Sequence, residues 1–295
     1  MKTQTFGIEI EVTGITREEA AKAIAAYFGT ETEYTGGAYN AYAVKDNTGR
    51  TWKLMSDSSI RAEARTGTAT SAHKVELVSP ICTYEDIETV QEITRQLRKA
   101  GAKANSSCGI HIHIGMGQHT TKSLRNLANL VASKEDLIYE ALAIKSSRQG
   151  YCQRADENFI KSLNAKKPET LTGLADLWYA AYTSESRSNH YNSSRYRLLN
   201  FHSIFRIGTV EFRAFNSTTH AGKIKAYIQF ALAMSHQALT QKSASSRKTE
   251  TTNQKYTFRT WLLRLGMIGD EFKTARMHLL ANLKGDIAWR ETPAA

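Results

Sequence analysis

Three pairs of ionisable residues stand out in the sequence, each pair separated by a single residue and flanked by apolar ones: Glu9 and Glu11 in FGIEIEV, His111 and His113 in GIHIHIG, and Glu211 and Arg213 in TVEFRAF. Carboxylates, imidazoles and a guanidinium at this spacing can hold divalent cations and phosphate oxygens. On a strand, residues i and i+2 stand about 6.6–6.8 Å apart on one face. The apolar residues of each segment then face a core, and the two ionisable groups face the opposite way at a fixed separation. Glu76, between Val75 and Leu77 in KVELVSP, follows the same logic, and Asp57 comes directly after a predicted strand.

If these strands are neighbours, four glutamates, two histidines and Arg213 share one sheet face. So many carboxylates repel one another unless cations intervene, and oxygen-rich donor sets suit Mg²⁺ or Mn²⁺. A neighbouring arginine suits phosphate oxygens through its bidentate fork. The combination predicts a nucleotide-triphosphate site with metals bridging the phosphates. Each pair alone also fits a solvated strand edge, and Glu76 or Asp57 alone says little. Three such segments on one sheet are harder to explain as surface.

The elements that must position these groups follow from periodicity. Alternation over 6–12 predicts a strand. A helix over 16–28 is opened by Thr16 with Glu19 in capping-box spacing and closed by Gly29. A hairpin is expected over 38–44 and 50–55 around Asp46-Asn47-Thr48-Gly49, then a loop over 62–72 and a strand over 73–78. Thr83 and Asp86 open a helix with Ile87, Val90, Ile93 and Leu97 on one stripe and Gly101 at its end. Further strands are predicted over 108–115, 195–201 and 208–215, and helices over 121–147, 171–184, 221–240 and 258–283. The polar stretch 241–255 reads as a mobile loop. Strands and helices mix without strict alternation, which predicts an α+β fold with a largely antiparallel sheet.

Composition limits the function classes. The chain has 295 residues, 41% of them hydrophobic, and only three prolines. No stretch approaches the ~20 apolar residues of a membrane helix, and the amino terminus alternates rather than forming a signal-peptide run. Cys82, Cys108 and Cys152 are odd in number and widely spaced, which argues against a disulfide framework and for a reducing, cytoplasmic setting. The net charge of +11 favours a polyanionic partner. Between 187 and 225 seven basic residues surround one acid, Glu211.

The ordered series E-x-E, E-x-V-S-P, C-G-I-H-I-H, R-Y-x-x-L-N and E-F-R, over residues 6–216, resembles the amidoligases and, more distantly, glutamine synthetase and glutamate–cysteine ligase. The resemblance implies an ATP- and Mg²⁺-dependent ligase joining a small-molecule or peptide carboxylate to an amine through an acyl phosphate, with Mn²⁺ as a second option. It implies a curved, glutamine synthetase-like sheet with helices on one face in a catalytic domain of residues 1–240, with 241–295 packed on the same domain. By the same resemblance Glu9, Glu11, Glu76, His111 and Glu211 are metal ligands, and His113 contacts nucleotide phosphate. Arg213 reaches the transferred phosphoryl group, and either Arg195 or Arg197 binds phosphate or substrate. Asn200 is a candidate substrate contact, and Asp57 a candidate to hold or deprotonate the amine. Two other readings remain at this stage: a metal-dependent hydrolase built on the H-x-H pair, and a basic nucleic-acid-binding module.

Overall fold

Alternating apolar residues produce strands wherever the second face has something other than water to meet. The computed structural model describes residues 1–288. Its strands are β1 (Phe6–Val12), β2 (Thr32–Gly36), β3 (Ala41–Lys45), β4 (Thr51–Met55), β5 (Val75–Val78), β6 (Gly109–Gly115), β7 (Leu199–Asn200) and β8 (Thr209–Asn216). They form an open sheet in the order β2-β3-β4-β5-β1-β6-β8-β7. The pairs β1–β5, β2–β3, β3–β4, β4–β5 and β7–β8 are antiparallel. The helices among the described residues are α1 (Arg17–Phe28), α2 (Ile87–Ala100), α3 (Thr121–Leu142), α4 (Glu157–Lys166), α5 (Leu171–Trp178), α6 (His202–Ile207), α7 (Ala221–Thr240), α8 (Gln254–Arg264) and α9 (Lys273–Leu280). The fold is α+β with helices packed on the sheet, as the mixed order of elements predicts.

The chain divides into two units by internal contacts. The first gathers Lys2–His113 and Phe215–Ile228. Here Phe6, Ile8, Ile10 and Val12 of β1 are buried beside Trp52, Leu54, Val75 and Leu77. Helix α1 packs on β3, β4 and β5, and against α2. It starts with the expected capping box, Thr16 and Glu19, and ends at Gly29 with φ +67°. Helix α2 buries Ile87, Val90, Ile93 and Leu97, and ends at Gly101. The turn between β3 and β4 is fastened by Arg50, which pairs with both Asp46 and Asp86. Strand β2 escapes sequence reading because TEYTG is an exposed, polar edge with no apolar face.

The second unit gathers Ile114–Ala214 and the described residues from Gln229 on. Helix α3 is buried along most of its length. Rings of Phe230 on α7 and of Phe258 and Trp261 on α8 meet with centroids 5.3–5.8 Å apart. Residues 241–253 carry no regular structure but are tied to α3 rather than loose. Asn126 and Asn129 donate to the carbonyls of Gln241 and Ala244, Thr249 N–H donates to Ser133 O, and Lys248 pairs with Glu135. The expected strand over 195–201 shortens to β7, because the Asn200 side chain accepts the His202 N–H and turns the chain into α6. Helix α4 was not expected. Asp156 opens it by accepting from the amides of Asn158 and Phe159.

Two histidines in this unit are buried as neutral rings. His119 lies between the hydroxyls of Ser123 and Ser235, at 3.0 and 2.8 Å. His202 lies between Tyr179 Oη and Asn189 O, at 2.5 and 3.0 Å. Burial pushes each down to about 4. The unfolded chain therefore binds more protons below the ordinary histidine value of about 6.5, and stability falls as pH drops through the window from there to about 4. From pH 7 to pH 5 each ring should cost about 2 kcal/mol of stability. Urea unfolding should show that loss, and His119→Asn should have a shallower dependence. A wild-type urea midpoint that is flat between those pH values contradicts it.

Candidate metal centre

In the first unit, the apolar face of β1 anchors the strand and turns Glu9 and Glu11 the other way. Register then decides their neighbours: Glu11 lies directly opposite Glu76 on β5. Both are buried, at 4% and 9% exposure. Side chains directly opposite on antiparallel strands have Cβ atoms about 4.5–5.5 Å apart, and like charges there are destabilising. Glu11 has partial relief from the Gly109 N–H, which donates to Oε2 at 2.6 Å. Its backbone carbonyl also accepts the Ser217 hydroxyl, which fixes this stretch of β1.

Glu9 stands between the two histidines of β6. Its Oε2 lies 2.8 Å from His111 Nδ1, and its Oε1 lies 3.3 Å from His113 Nε2. Burial works to raise the Glu9 carboxyl. The charge of His113, with hydrogen bonds from His111 and His113, outweighs that and holds it well below the ordinary carboxylate range. Both histidines are buried on the same strand, two residues apart, as alternation predicts.

Within the first unit, donor atoms converge in two overlapping groups. Glu9, Glu76 and His111 each offer one ligand atom within 4.8 Å of the others, and so do Glu11, Asp57 and Glu76. Glu76 belongs to both. One group is two carboxylates and an imidazole; the other is three carboxylates. Neither holds sulfur, and hard, oxygen-rich sets fit Mg²⁺ or Mn²⁺ better than a thiolate metal. Asp57 reaches the cluster from the end of β4, where its Oδ1 also accepts the Ser59 N–H at 2.6 Å. The buried Glu11–Glu76 pair fits a cation for a physical reason: a cation cancels the repulsion that the register imposes. Cys108, just before β6, is a buried free thiol, and burial pushes it up from its ordinary value.

In the second unit, Glu211 and Arg213 share one face of β8 and pair with each other. Asn200, opposite Glu211 across β7–β8, donates to its Oε2 at 2.7 Å, and so does Ser203 Oγ at 2.7 Å. Asn200 thus helps to orient the Glu211 carboxylate. The Nε of Arg213 donates to Tyr151 O, and Arg148 donates to Arg213 O at 3.0 Å. Ser203, Arg148 and Ser217 were missed in the sequence; only the Asn200–Ser203 spacing at a helix start hinted at one of them. Arg197 is occupied by Asp156, Tyr182 Oη and Arg154 O. Arg195 is half-buried, bonded to His190 O, and lies over the Tyr191 and Tyr196 rings.

Taken together, the structure sets groups of carboxylates and an imidazole on one face of an antiparallel sheet in an α+β fold. A family model described as "Putative amidoligase enzyme" matches residues 2–235, and the chain belongs to that amidoligase family, a family of ligases that form amide bonds. No curated protein matches the chain. No described helix is long and apolar enough to cross a membrane.

Removing one of the two facing charges, Glu76→Gln should raise the melting temperature in EDTA by several degrees and abolish the stabilisation that Mg²⁺ or Mn²⁺ gives the wild type. Lower stability without metal, together with an unchanged metal response, contradicts the assignment.

Proposed function

We propose that this amidoligase activates a carboxylate with ATP and joins it to an amine, with Mg²⁺ or Mn²⁺ bound by Glu9, Glu11, Glu76 and His111. What carries the reading is the register that buries Glu11 opposite Glu76 and makes Glu76 common to two donor groups. Such an arrangement suits a site that must neutralise a triphosphate. When bound, the cations offset the negative charge on the phosphates as an anionic acceptor approaches. From the family resemblance, Glu211 is proposed as a further metal ligand and His113 as a contact to nucleotide phosphate. Of the two arginines, Arg195 is the better phosphate or substrate contact, since Arg197 is held by Asp156 and Tyr182.

The chemistry balances in two steps. A carboxylate is a poor acylating agent, because oxide is a poor leaving group. In the first step a substrate carboxylate oxygen bonds to the γ-phosphorus of ATP, the bond to the β,γ-bridging oxygen breaks, and ADP leaves. In the second the amine bonds to the acyl carbon, the carbon–oxygen bond to phosphate breaks, and inorganic phosphate leaves. Arg213 is proposed to stabilise the phosphoryl group in flight with preorganised charge. It is well placed for orientation, because Glu211, Tyr151 O and the strand backbone fix it. Asp57 is proposed to hold the amine and take its proton, a role that competes with its place beside Glu11 and Glu76. Asn200 and Ser203 act by aligning the Glu211 carboxylate. The acid and amine are small molecules or peptides, and a reducing, cytoplasmic setting fits the three buried free thiols.

Incubation with ATP, Mg²⁺ and pools of amino acids and short peptides should release ADP and phosphate in equal amounts with a new amide. Glu76→Gln and Arg213→Lys should each lower kcat at least a hundredfold with folding intact by circular dichroism. Zinc-dependent hydrolysis with no nucleotide requirement, or full turnover by both variants, would overturn the proposal.

A further inference from the structure

We propose that the second unit carries an additional binding site for a small oxyanion, in a cavity walled by α3, by α8 and by the segment that precedes α8. The cavity measures about 810 Å³, and Lys134, Arg264, Thr251, Thr257, Thr260 and Tyr256 line it. Pockets that hold small organic ligands run to about 300–1,000 Å³, so there is room for one. Except for Lys134, the whole wall lies at residues 250–264, beyond the 2–235 stretch that the family model matches. None of its residues belongs to the donor groups described above.

The chemistry of the wall selects the ligand. Lys134 is half-buried and donates to the Thr249 hydroxyl, a neutral acceptor. Among the described residues neither Lys134 nor Arg264 is ion-paired with an acid. The single acid in the wall, Glu250, is exposed and makes no ion pair with either. Burial lowers the Lys134 ammonium from its ordinary value, and the neighbouring Arg264 charge lowers it further. Two cations that weaken each other in one cavity are what a bound anion relieves. An oxyanion also takes the Thr260 and Tyr256 hydroxyls as donors, with the guanidinium supplying paired N–H groups, while the Thr251 and Thr257 hydroxyls are spent on Asn253 O and on each other. The surrounding sequence reinforces the field: apart from Lys248, which Glu135 neutralises, Lys242, Arg247, Lys255, Arg259 and Arg264 stand against Glu250 between 242 and 264.

Carboxylates and phosphates share this chemistry, and titration calorimetry on the metal-free chain with inorganic phosphate and with citrate separates them. At least one probe should bind saturably, more weakly as NaCl is raised, and the one that binds identifies the source of the anion. Arg264→Gln and Lys134→Met should each weaken that binding at least tenfold, while Glu76→Gln leaves it unchanged. Arg264 is exposed, so its substitution tests the site even if Lys134→Met disturbs packing. Absence of saturable binding by either probe overturns the proposal. So does binding that survives Arg264→Gln, or binding that is lost in Glu76→Gln. None of these outcomes depends on whether the chain turns over ATP.

Discussion

Two carboxylates placed face to face by a β-register are the constraint on which the site depends. Glu11 and Glu76 are not surface residues that can swing apart. Their strands are anchored by Ile10, Val12, Val75 and Leu77 on the other side, and these are almost completely buried. A slip of one residue would carry every apolar side chain of β1 to the wrong face, so the core fixes the register and the register fixes the repulsion. Like charges directly opposite on paired strands are destabilising. The apolar core thus holds the two carboxylates opposite each other, and that fixed pair is what the proposed cation would meet.

The carboxylates of the chain are not all prepared alike. Glu211 is fully provided for by the protein: Arg213, Asn200 and Ser203 meet both of its oxygens. Glu9 has imidazoles on each oxygen. Glu11 accepts the Gly109 amide, and Asp57 accepts the Ser59 amide of its own turn. Groups already held by several donors are oriented before any ligand arrives.

How much of this was legible in the sequence follows from the range of the signals. Strands β1, β6 and β8 could be read because the period of two is local and each face has a single character. The pairing of Glu9 with His111 and His113, and of Glu11 with Glu76, needed the sheet order, which no local pattern contains. Asp57 could be placed at a strand end, but not beside Glu11. Helix α1 was readable to its caps, since Thr16, Glu19 and Gly29 carry their own signals. Strand β2 was not, because an exposed edge has no apolar face. Residues 241–253 look disordered by composition, yet they are held by Asn126, Asn129, Ser133 and Glu135 of α3, whose roles depend on a partner more than a hundred residues away.

That last case bears on the part of the chain beyond the family match. Phe258 and Trp261 of α8 close over Phe230 of α7, so the segment completes a core that the matched region begins. A tail retained only for solubility has no need to bury Asn253, Phe258 and Leu262. Nor would it settle with a half-buried lysine beside an arginine, because desolvating an ammonium next to a like charge works against folding. Packing explains why the segment is ordered. It leaves the cation pair unexplained, and two like charges lining one cavity are what the proposed ligand of opposite sign would relieve.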